Sequence, residues 1–161
     1  MLSNVPLHPI ELAPMMDGDL ELLVGEIYPG DLRRGYVPAY RFRMMSIPHQ
    51  TQMGEIELRL GNTDHICLYA GHIGYNVYPA FRGHHYAARS VRLLLPLARR
   101  HGLSPLWITC NPDNYASRRT CELAGFTFVE TVDLPPDTDM YREGERQKRR
   151  YRLDLNGPVV L

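Results

Sequence analysis

Residues 74–95 read GYNVYPAFRGHHYAARSVRLLL, and this stretch decides the fold. Its beginning has the composition of a β-strand, which Pro79 ends. Apolar residues then recur at helical spacing, which predicts a helix from about Tyr86 to Arg100. Because Gly83 lies in the loop between them, the free N–H groups of the first helical turn should bind an anion such as phosphate. An ordinary strand-to-helix turn, in which Gly83 only relieves strain, explains the loop alone equally well.

The rest of the chain predicts a mixed α/β (α+β) fold with a mostly antiparallel, twisted sheet of about seven strands, two main helices and a three-layer character. The first helix should bend or end locally at Pro96, and His101-Gly102 should stop it. The second should span residues 115–124, and residues 135–145 should form a polar loop. We predict strands at 19–28, 37–47, 54–60, 66–78, 106–110, 126–132 and 149–155, of which 66–69 and 72–78 are either a hairpin arm or one interrupted strand.

Alternation in the strand predicted at 37–47 separates two faces. Tyr40, Phe42 and Met44 share one face, and the intervening residues, including Arg41 and Arg43, share the other. This pattern is typical of a half-buried antiparallel strand, so the first three side chains should point into the core.

Length and composition predict one soluble domain over residues 1–161, with an irregular lead-in at 1–18 and a loose tail at 156–161. Lysine plus arginine equals aspartate plus glutamate at 18 each, which argues against nucleic acid or an anionic membrane as a partner. Cys67, Cys110 and Cys121 form neither a disulfide framework nor a zinc motif, which favours reduced thiols in the cytoplasm. The N-terminus lacks a secretory signal pattern, and no apolar run is long enough to span a membrane.

The opening stretch resembles the signature of the GNAT superfamily of N-acyltransferases, in which a strand leads through V-x-P-x-x-R-G-x-G-x-A into the CoA-binding helix. His85 stands where the family usually has its second glycine. The positions that agree are Val77, Pro79, Arg82, Gly83, Ala87 and Ala88.

A second stretch supports the same resemblance independently. Residues 106–126 read LWITCNPDNYASRRTCELAGF and are similar to the next GNAT strand and helix, where N-x-x-S or N-x-x-A precedes a helix that ends in a G-F pair. The positions that fall in register are Asn111, Asn114, Ser117, Glu122, Gly125 and Phe126. Two motifs at the right separation identify fold and co-substrate better than acceptor.

The resemblance implies direct attack of an amine on the thioester of acetyl-CoA or another short acyl-CoA, without a metal. Its nearest branches are those of the ribosomal-protein N-acetyltransferases. The backbone N–H groups around Val77 and Tyr78 would hold the acyl carbonyl. The positions that would bind CoA are Val77, Tyr78, Arg82, Gly83, His84, His85, Tyr86, Ala87, Ala88, Asn111, Asn114 and Ser117.

For the general base, the resemblance points to His72, which lies at the start of that strand where relatives often carry a glutamate. The unperturbed pKa of histidine, about 6.5, suits proton abstraction near neutrality. Glu57 on the preceding strand and a chain of water molecules are the alternatives. A structural hydrogen bond is an equally good explanation of His72.

For the general acid, many relatives use a tyrosine seven positions after the asparagine that matches Asn114, and here that position is Cys121. Ser117 is the better candidate, because in the ribosomal-protein branches this serine contacts the region of the CoA sulfur. A buried structural cysteine and a local helix cap are the alternatives for the two residues. The histidines of the loop lack a third ligand at metal-binding spacing.

The acceptor side should be open. Relatives normally place two helices between the first two strands, but only residues 29–38 separate the two strands predicted here. The resemblance therefore favours a peptide or protein amine, in a site completed by the 135–145 loop or by the second subunit of a homodimer. Two rival functions remain: a CoA-binding sensor or scaffold without turnover, and an unrelated α/β nucleotide-binding protein.

Overall fold

Five antiparallel strands form the first sheet in a computed structural model that describes residues 12–156. Each strand pairs with its neighbour along the chain, so the sheet is an antiparallel meander. The strands are β1 (Met15–Asp17), β2 (Leu20–Tyr28), β3 (Ala39–Ser46), β4 (Gln52–Arg59) and β5 (Ile73–Val77).

A second antiparallel sheet has three strands, β6 (Leu106–Cys110), β7 (Thr127–Asp133) and β8 (Gln147–Leu153), in the order β6-β8-β7. The predicted mixed α/β class is confirmed. Residues 12–156 contain eight strands in two sheets rather than about seven in one. The additional strand is β1, which forms a short hairpin with β2 inside the predicted lead-in, and two sheets result because β5 and β6 do not pair.

Three helices accompany the sheets: α1 (Tyr86–Arg100), α2 (Tyr115–Leu123) and the short α3 (Asp139–Arg142). The bounds predicted for α1 are confirmed, and the helix continues through Pro96 to its C-cap at His101. Its apolar stripe, which includes Val91 and Leu94, is buried in one core cluster with strand residues of both sheets. Tyr40, Phe42 and Met44 belong to that cluster, as their alternation predicts.

Two expectations about local structure are wrong. Ile66–Ala70 is a π-helical turn and not a strand, because the Thr63 hydroxyl accepts a hydrogen bond from the Ile66 N–H and Gly71 leaves the turn with a φ of 76°. The segment 135–145 is not only loop, because Thr138 caps the short helix α3 by accepting from the Tyr141 N–H. The first eleven residues of the lead-in and the predicted tail from residue 157 lie outside the described residues.

Residues 29–38 form a tight turn, in which Asp31 and Tyr36 exchange two backbone hydrogen bonds of 2.9 Å. No helix lies between β2 and β3, as the spacing predicts. The face of the first sheet that carries Arg41 and Glu57 is therefore partly open to solvent.

In the part of the chain that the structure describes, no helix is both long and apolar enough to cross a membrane.

Candidate active site

A wedge opens between the two sheets, where β5 and β6 diverge. At its closed end the His72 N–H donates to the Trp107 carbonyl at 2.7 Å, and the Trp107 N–H donates to His72 Nδ1 at 3.0 Å. Beyond this junction β5 pairs only with β4, and β6 pairs only with β8, among the strands of residues 12–156. Helices α1 and α2 follow these two diverging strands in the chain.

His72 closes the wedge from the inside. Its side chain is fully buried, and both ring nitrogens have partners, because Nε2 lies 2.8 Å from Asn62 Oδ1 while Nδ1 accepts from Trp107. Burial lowers the pKa of His72 to about 4, so the ring is neutral at pH 7. With Nδ1 occupied and the ring out of reach of solvent, His72 has the contacts of a structural residue rather than those of a general base.

One edge of β5 faces the wedge. The Arg59 N–H donates to the His72 carbonyl and the Tyr78 N–H donates to the Met53 carbonyl, which fixes the alternation of hydrogen bonds between β4 and β5. The backbone groups of Ile73, Tyr75 and Val77 consequently point away from β4, into the wedge. The Tyr78 N–H is already occupied, so Val77 is the member of the predicted Val77–Tyr78 pair whose N–H faces the wedge.

Tyr75 crosses the wedge and contacts Ser117 at the start of α2. Its hydroxyl lies 2.6 Å from Ser117 Oγ, and burial raises the pKa of Tyr75 well above its usual range, so the phenol stays protonated. Sequence reasoning missed Tyr75. The available signal was a tyrosine on the core-facing side of the strand that leads into the anion-binding loop.

The other residues predicted around Ser117 have different positions. The Asn114 side chain accepts from the Ser117 N–H at 3.1 Å and is the N-cap of α2. Cys121 is fully buried, and burial followed by the nearby Cys110 raises its pKa to about 12. Cys110 lines the wedge whereas Cys121 does not, so Ser117 is the better placed of the two predicted acids.

A cavity of about 350 Å³ occupies the wedge. Tyr75 and Ser117 lie in its wall together with a polar cluster of Asn111, Glu145 and Lys148. Lys148 Nζ donates to Asn111 Oδ1 at 2.7 Å, and Asn111 Nδ2 donates to Glu145 Oε1 at 2.8 Å. Asn111 therefore belongs to the wedge rather than to the loop before α1.

The loop before α1 concentrates free backbone donors. Among the described residues, the N–H groups from Gly83 to Ala88 donate to no carbonyl or side-chain acceptor. Gly83 has a φ of 93° and His85 a φ of 59°, so both positions lie in the left-handed region that favours glycine. His85 therefore has a left-handed backbone conformation at the position where the motif has its second glycine.

Neighbouring side chains hold this loop in place. Arg82 Nε donates to the Val77 carbonyl at 3.0 Å, and the Tyr86 hydroxyl donates to Asp19 Oδ2 at 2.5 Å. Arg89 also binds Asp19, at 2.8 Å. The hydrogen bond from Tyr86, followed by that from Arg89, lowers the pKa of Asp19. The Tyr86 hydroxyl thus anchors the start of α1 to the turn between β1 and β2.

Glu57 lies on the open face of the first sheet. Its Oε1 accepts from Arg41 at 3.4 Å, and its Oε2 accepts from Arg59 at 3.5 Å. Glu57 lines two open grooves, of about 700 and 510 Å³, but not the wedge cavity. Arg59 lines both grooves and the wedge cavity, so the three spaces meet at its side chain.

A cluster of three or more His, Cys, Asp or Glu side chains suited to a metal ion does not occur within residues 12–156.

The sequence profile of the acetyltransferase (GNAT) domain matches residues 27–127. This chain belongs to the GNAT acetyltransferase family. The matched region contains β5, the loop before α1, and α2, so it includes the free N–H groups and both Tyr75 and Ser117, whereas Glu145 and Lys148 lie beyond it.

Solved structures share the fold. A ribosomal-protein-S5-alanine acetyltransferase from Vibrio fischeri is 16% identical with a TM-score of 0.59, and the match covers 74% of this chain and 63% of that one. The microcin C7 self-immunity acetyltransferase MccE, in complex with acetyl-CoA and AMP, is 16% identical with a TM-score of 0.56, covering 72% and 61%. This chain therefore spans less than two thirds of the length of these two proteins.

A Salmonella typhimurium acetyltransferase that modifies the N-terminal serine of ribosomal protein L7/L12 is 19% identical with a TM-score of 0.55, and the match covers 76% of this chain and 67% of that one. Identities this low establish a common fold and leave the acceptor open. No curated protein sequence matches the chain.

Proposed function

We propose that this GNAT protein transfers an acetyl group from acetyl-CoA to a primary amine. The observation that carries the proposal is the combination of a wedge edged by β5 N–H groups that point away from β4 and a loop of free N–H groups at the start of α1. The first can receive an extended amide-containing chain, and the second can receive phosphate.

The CoA pyrophosphate would bind at residues 83–88, where free N–H groups and the helix dipole both favour an anion. The N–H groups of Ile73, Tyr75 and Val77 are the donors that face the wedge, and one of them would hold the thioester carbonyl. Such a fixed donor stabilises the charge that develops on oxygen during attack.

The Tyr75–Ser117 pair would return a proton to the leaving thiolate. Both hydroxyls border the wedge cavity, and each lies within hydrogen-bond distance of the other. Cys121 would not serve, because it lies behind this pair without lining the cavity. The serine predicted from the sequence is thus retained, with a tyrosine from the opposite wall as its partner.

The acceptor would approach over the open face of the first sheet, whose two grooves reach the wedge at Arg59. An open groove of this size accommodates a peptide or protein terminus better than a small amine, which needs enclosure for affinity. Two proteins of the same fold, those from Vibrio fischeri and Salmonella typhimurium, carry names that specify ribosomal proteins. The free thiols of Cys67, Cys110 and Cys121 suit a reducing compartment such as the cytoplasm.

Ligand ranking followed by turnover tests this proposal. We expect acetyl-CoA and CoA to raise the melting temperature more than ATP or NAD at equal concentration, and the thioester to be cleaved in the presence of peptides with free N-termini. Stronger stabilisation by ATP or NAD would favour an unrelated nucleotide-binding protein. Binding of acetyl-CoA without acetylation of α-amine, lysine or polyamine acceptors would favour a CoA-binding module without turnover.

A further inference from the structure

Glu145 lies between α3 and β8 and is the one carboxylate, among the described residues, that lines the wedge cavity together with Tyr75 and Ser117. Its backbone N–H donates to the Met140 carbonyl at 3.0 Å, which fixes the segment beyond α3. In the sequence it belongs to the 135–145 segment that could complete the acceptor site, and no motif singles it out.

The two carboxylate oxygens of Glu145 have different surroundings. Oε1 accepts from Asn111 Nδ2 at 2.8 Å and from Lys148 Nζ at 3.3 Å. Oε2 makes no hydrogen bond to any residue in the range 12–156. Lys148 is only 10% exposed and also binds Asn111 at 2.7 Å, so the three side chains form a closed ring. One oxygen is thus held in place while the other keeps its lone pairs available.

The remaining candidates for a base are less well placed. His72 is buried with both nitrogens engaged, and both Glu57 oxygens accept from guanidinium groups that would compete with an incoming ammonium. Only Glu145 combines a position in the wedge with a free acceptor oxygen.

We propose that Glu145 binds the acceptor's ammonium group and accepts its proton, with Asn111 and Lys148 as positioning residues. This inference rests on the proposed acetyl transfer. It also specifies the acceptor class, because the nucleophile must be a cationic amine that reaches the wedge with its N–H bonds directed at a carboxylate.

The proposed step balances in atoms and charge. Glu145 Oε2 takes one proton from the ammonium, and the neutral amine then attacks the thioester carbon. The C–N bond forms, the C–S bond breaks, and the second proton lost by nitrogen reaches the thiolate through the Tyr75–Ser117 pair. The products are an acetamide and the free thiol, with the first proton released from Glu145 to solvent.

The charged and titratable groups that line this cavity around Glu145 are Arg59, Tyr69, Tyr75, Cys110 and Lys148. Arg59 is held by the carbonyl groups of Ala70 and Gly71 at 3.0 and 2.9 Å. Its guanidinium is therefore oriented by the π-helical turn and donates no hydrogen bond to the Glu145 carboxylate.

The test compares Glu145→Gln with the wild type over a range of pH. The acceptors are a hexapeptide with a free N-terminal serine, a peptide with an acetylated N-terminus and one free lysine side chain, and spermidine. Glutamine keeps an oxygen that accepts from Asn111 and Lys148 but cannot take up a proton. We expect kcat/KM to fall about 100-fold at pH 7. With the hexapeptide the loss should shrink as pH rises past the pKa of its α-amine, about 8, because the acceptor then arrives already deprotonated.

Glu143→Gln is the matched control, because Glu143 is an exposed residue of the same segment and does not line the cavity. It should leave kcat/KM unchanged, and Glu145→Asp should recover part of the lost rate. Equal activity of Glu145→Gln and wild type, or a loss that stays constant with pH, would overturn the assignment while leaving acetyl transfer intact. A wild-type protein that binds acetyl-CoA but acetylates none of the three acceptors would refute the proposed function, and this inference with it.

Discussion

The Tyr75 hydroxyl lies 2.6 Å from the Ser117 hydroxyl, and this contact joins β5 to α2 across the wedge. The two strands that border the wedge diverge beyond His72, so the space between them is free for an extended ligand. The hydroxyl pair thus marks a point where a ligand in the wedge meets two O–H groups from opposite walls. Burial of Tyr75 raises its pKa, so the phenol is protonated at pH 7.

Replacing Tyr75 by Phe should lower kcat about 100-fold and leave the CoA dissociation constant nearly unchanged, because the ring stays and only the proton donor is lost. Steady-state kinetics and calorimetric titration with CoA provide the measurement. Tyr115→Phe, on the exposed side of α2, is the control. If the two hydroxyls act as a unit, the double variant with Ser117→Ala should be no slower than the slower single variant. An unchanged kcat in Tyr75→Phe would exclude the phenol from proton transfer.

The sequence predicted the local structure of the two segments of the candidate site that are contiguous in the chain. The loop at residues 82–88 and the N-x-x-S cap of α2 depend on local backbone chemistry, which a motif encodes directly. The roles proposed for Tyr75 and Glu145 depend on contacts made only in the folded chain, and no local pattern marks these residues. The position of His72 in the chain predicts a general base, whereas the contacts of its ring with Asn62 and Trp107, which only the folded chain provides, are those of a structural residue.

Secondary structure shows the same limit. Short apolar runs do not distinguish a strand from a helical turn, and Ile66–Ala70 forms a π-helical turn although its composition also suits a strand. By contrast, α1 could be placed from its stripe of apolar residues, because a periodic pattern over four turns has few alternatives.

Replacing His72 by Gln should remove a pH-dependent part of stability. The folded-state pKa, about 4, lies below the unfolded value of about 6.5. The unfolded chain therefore binds more protons between these values, so the stabilisation is complete above pH 6.5 and is lost as pH falls towards 4. The loss amounts to about 3 kcal/mol.

Urea denaturation of the wild type, His72→Gln and His49→Gln at pH 7.5, 6 and 4.5 measures how the free energy of unfolding of each protein depends on pH. The wild type and the exposed-site control His49→Gln should lose stability more steeply on acidification than His72→Gln. The pH–rate profile of His72→Gln should have the same shape as that of the wild type. If the acidic fall in rate disappears in the variant, His72 is the general base.

Replacing Glu57 by Gln should reduce kcat/KM less than fivefold and change the free energy of unfolding by no more than about 1 kcal/mol, as is typical of partly exposed ion pairs. The reason is that Arg59 keeps its hydrogen bonds to Ala70 and Gly71, while Glu57 lines the grooves but not the wedge. Kinetics at pH 7 and 9 give the comparison with Glu145→Gln. A large loss at pH 7 that recovers at pH 9 would identify Glu57 as the base.

Replacing His85 by Gly should stabilise the protein relative to the neighbouring variant His84→Gly by about 1 kcal/mol, measured as the free energy of unfolding in urea. His85 has a φ of 59°, where a side chain is strained, whereas His84 has no such backbone conformation. Both variants gain the same freedom in the unfolded chain, so their difference isolates the relief of strain at position 85. The free N–H groups of the loop remain in both, so CoA affinity should be preserved or raised in His85→Gly. Equal stability of the two variants would mean that the left-handed conformation at His85 costs nothing, and the family's second glycine would then need a reason other than backbone strain.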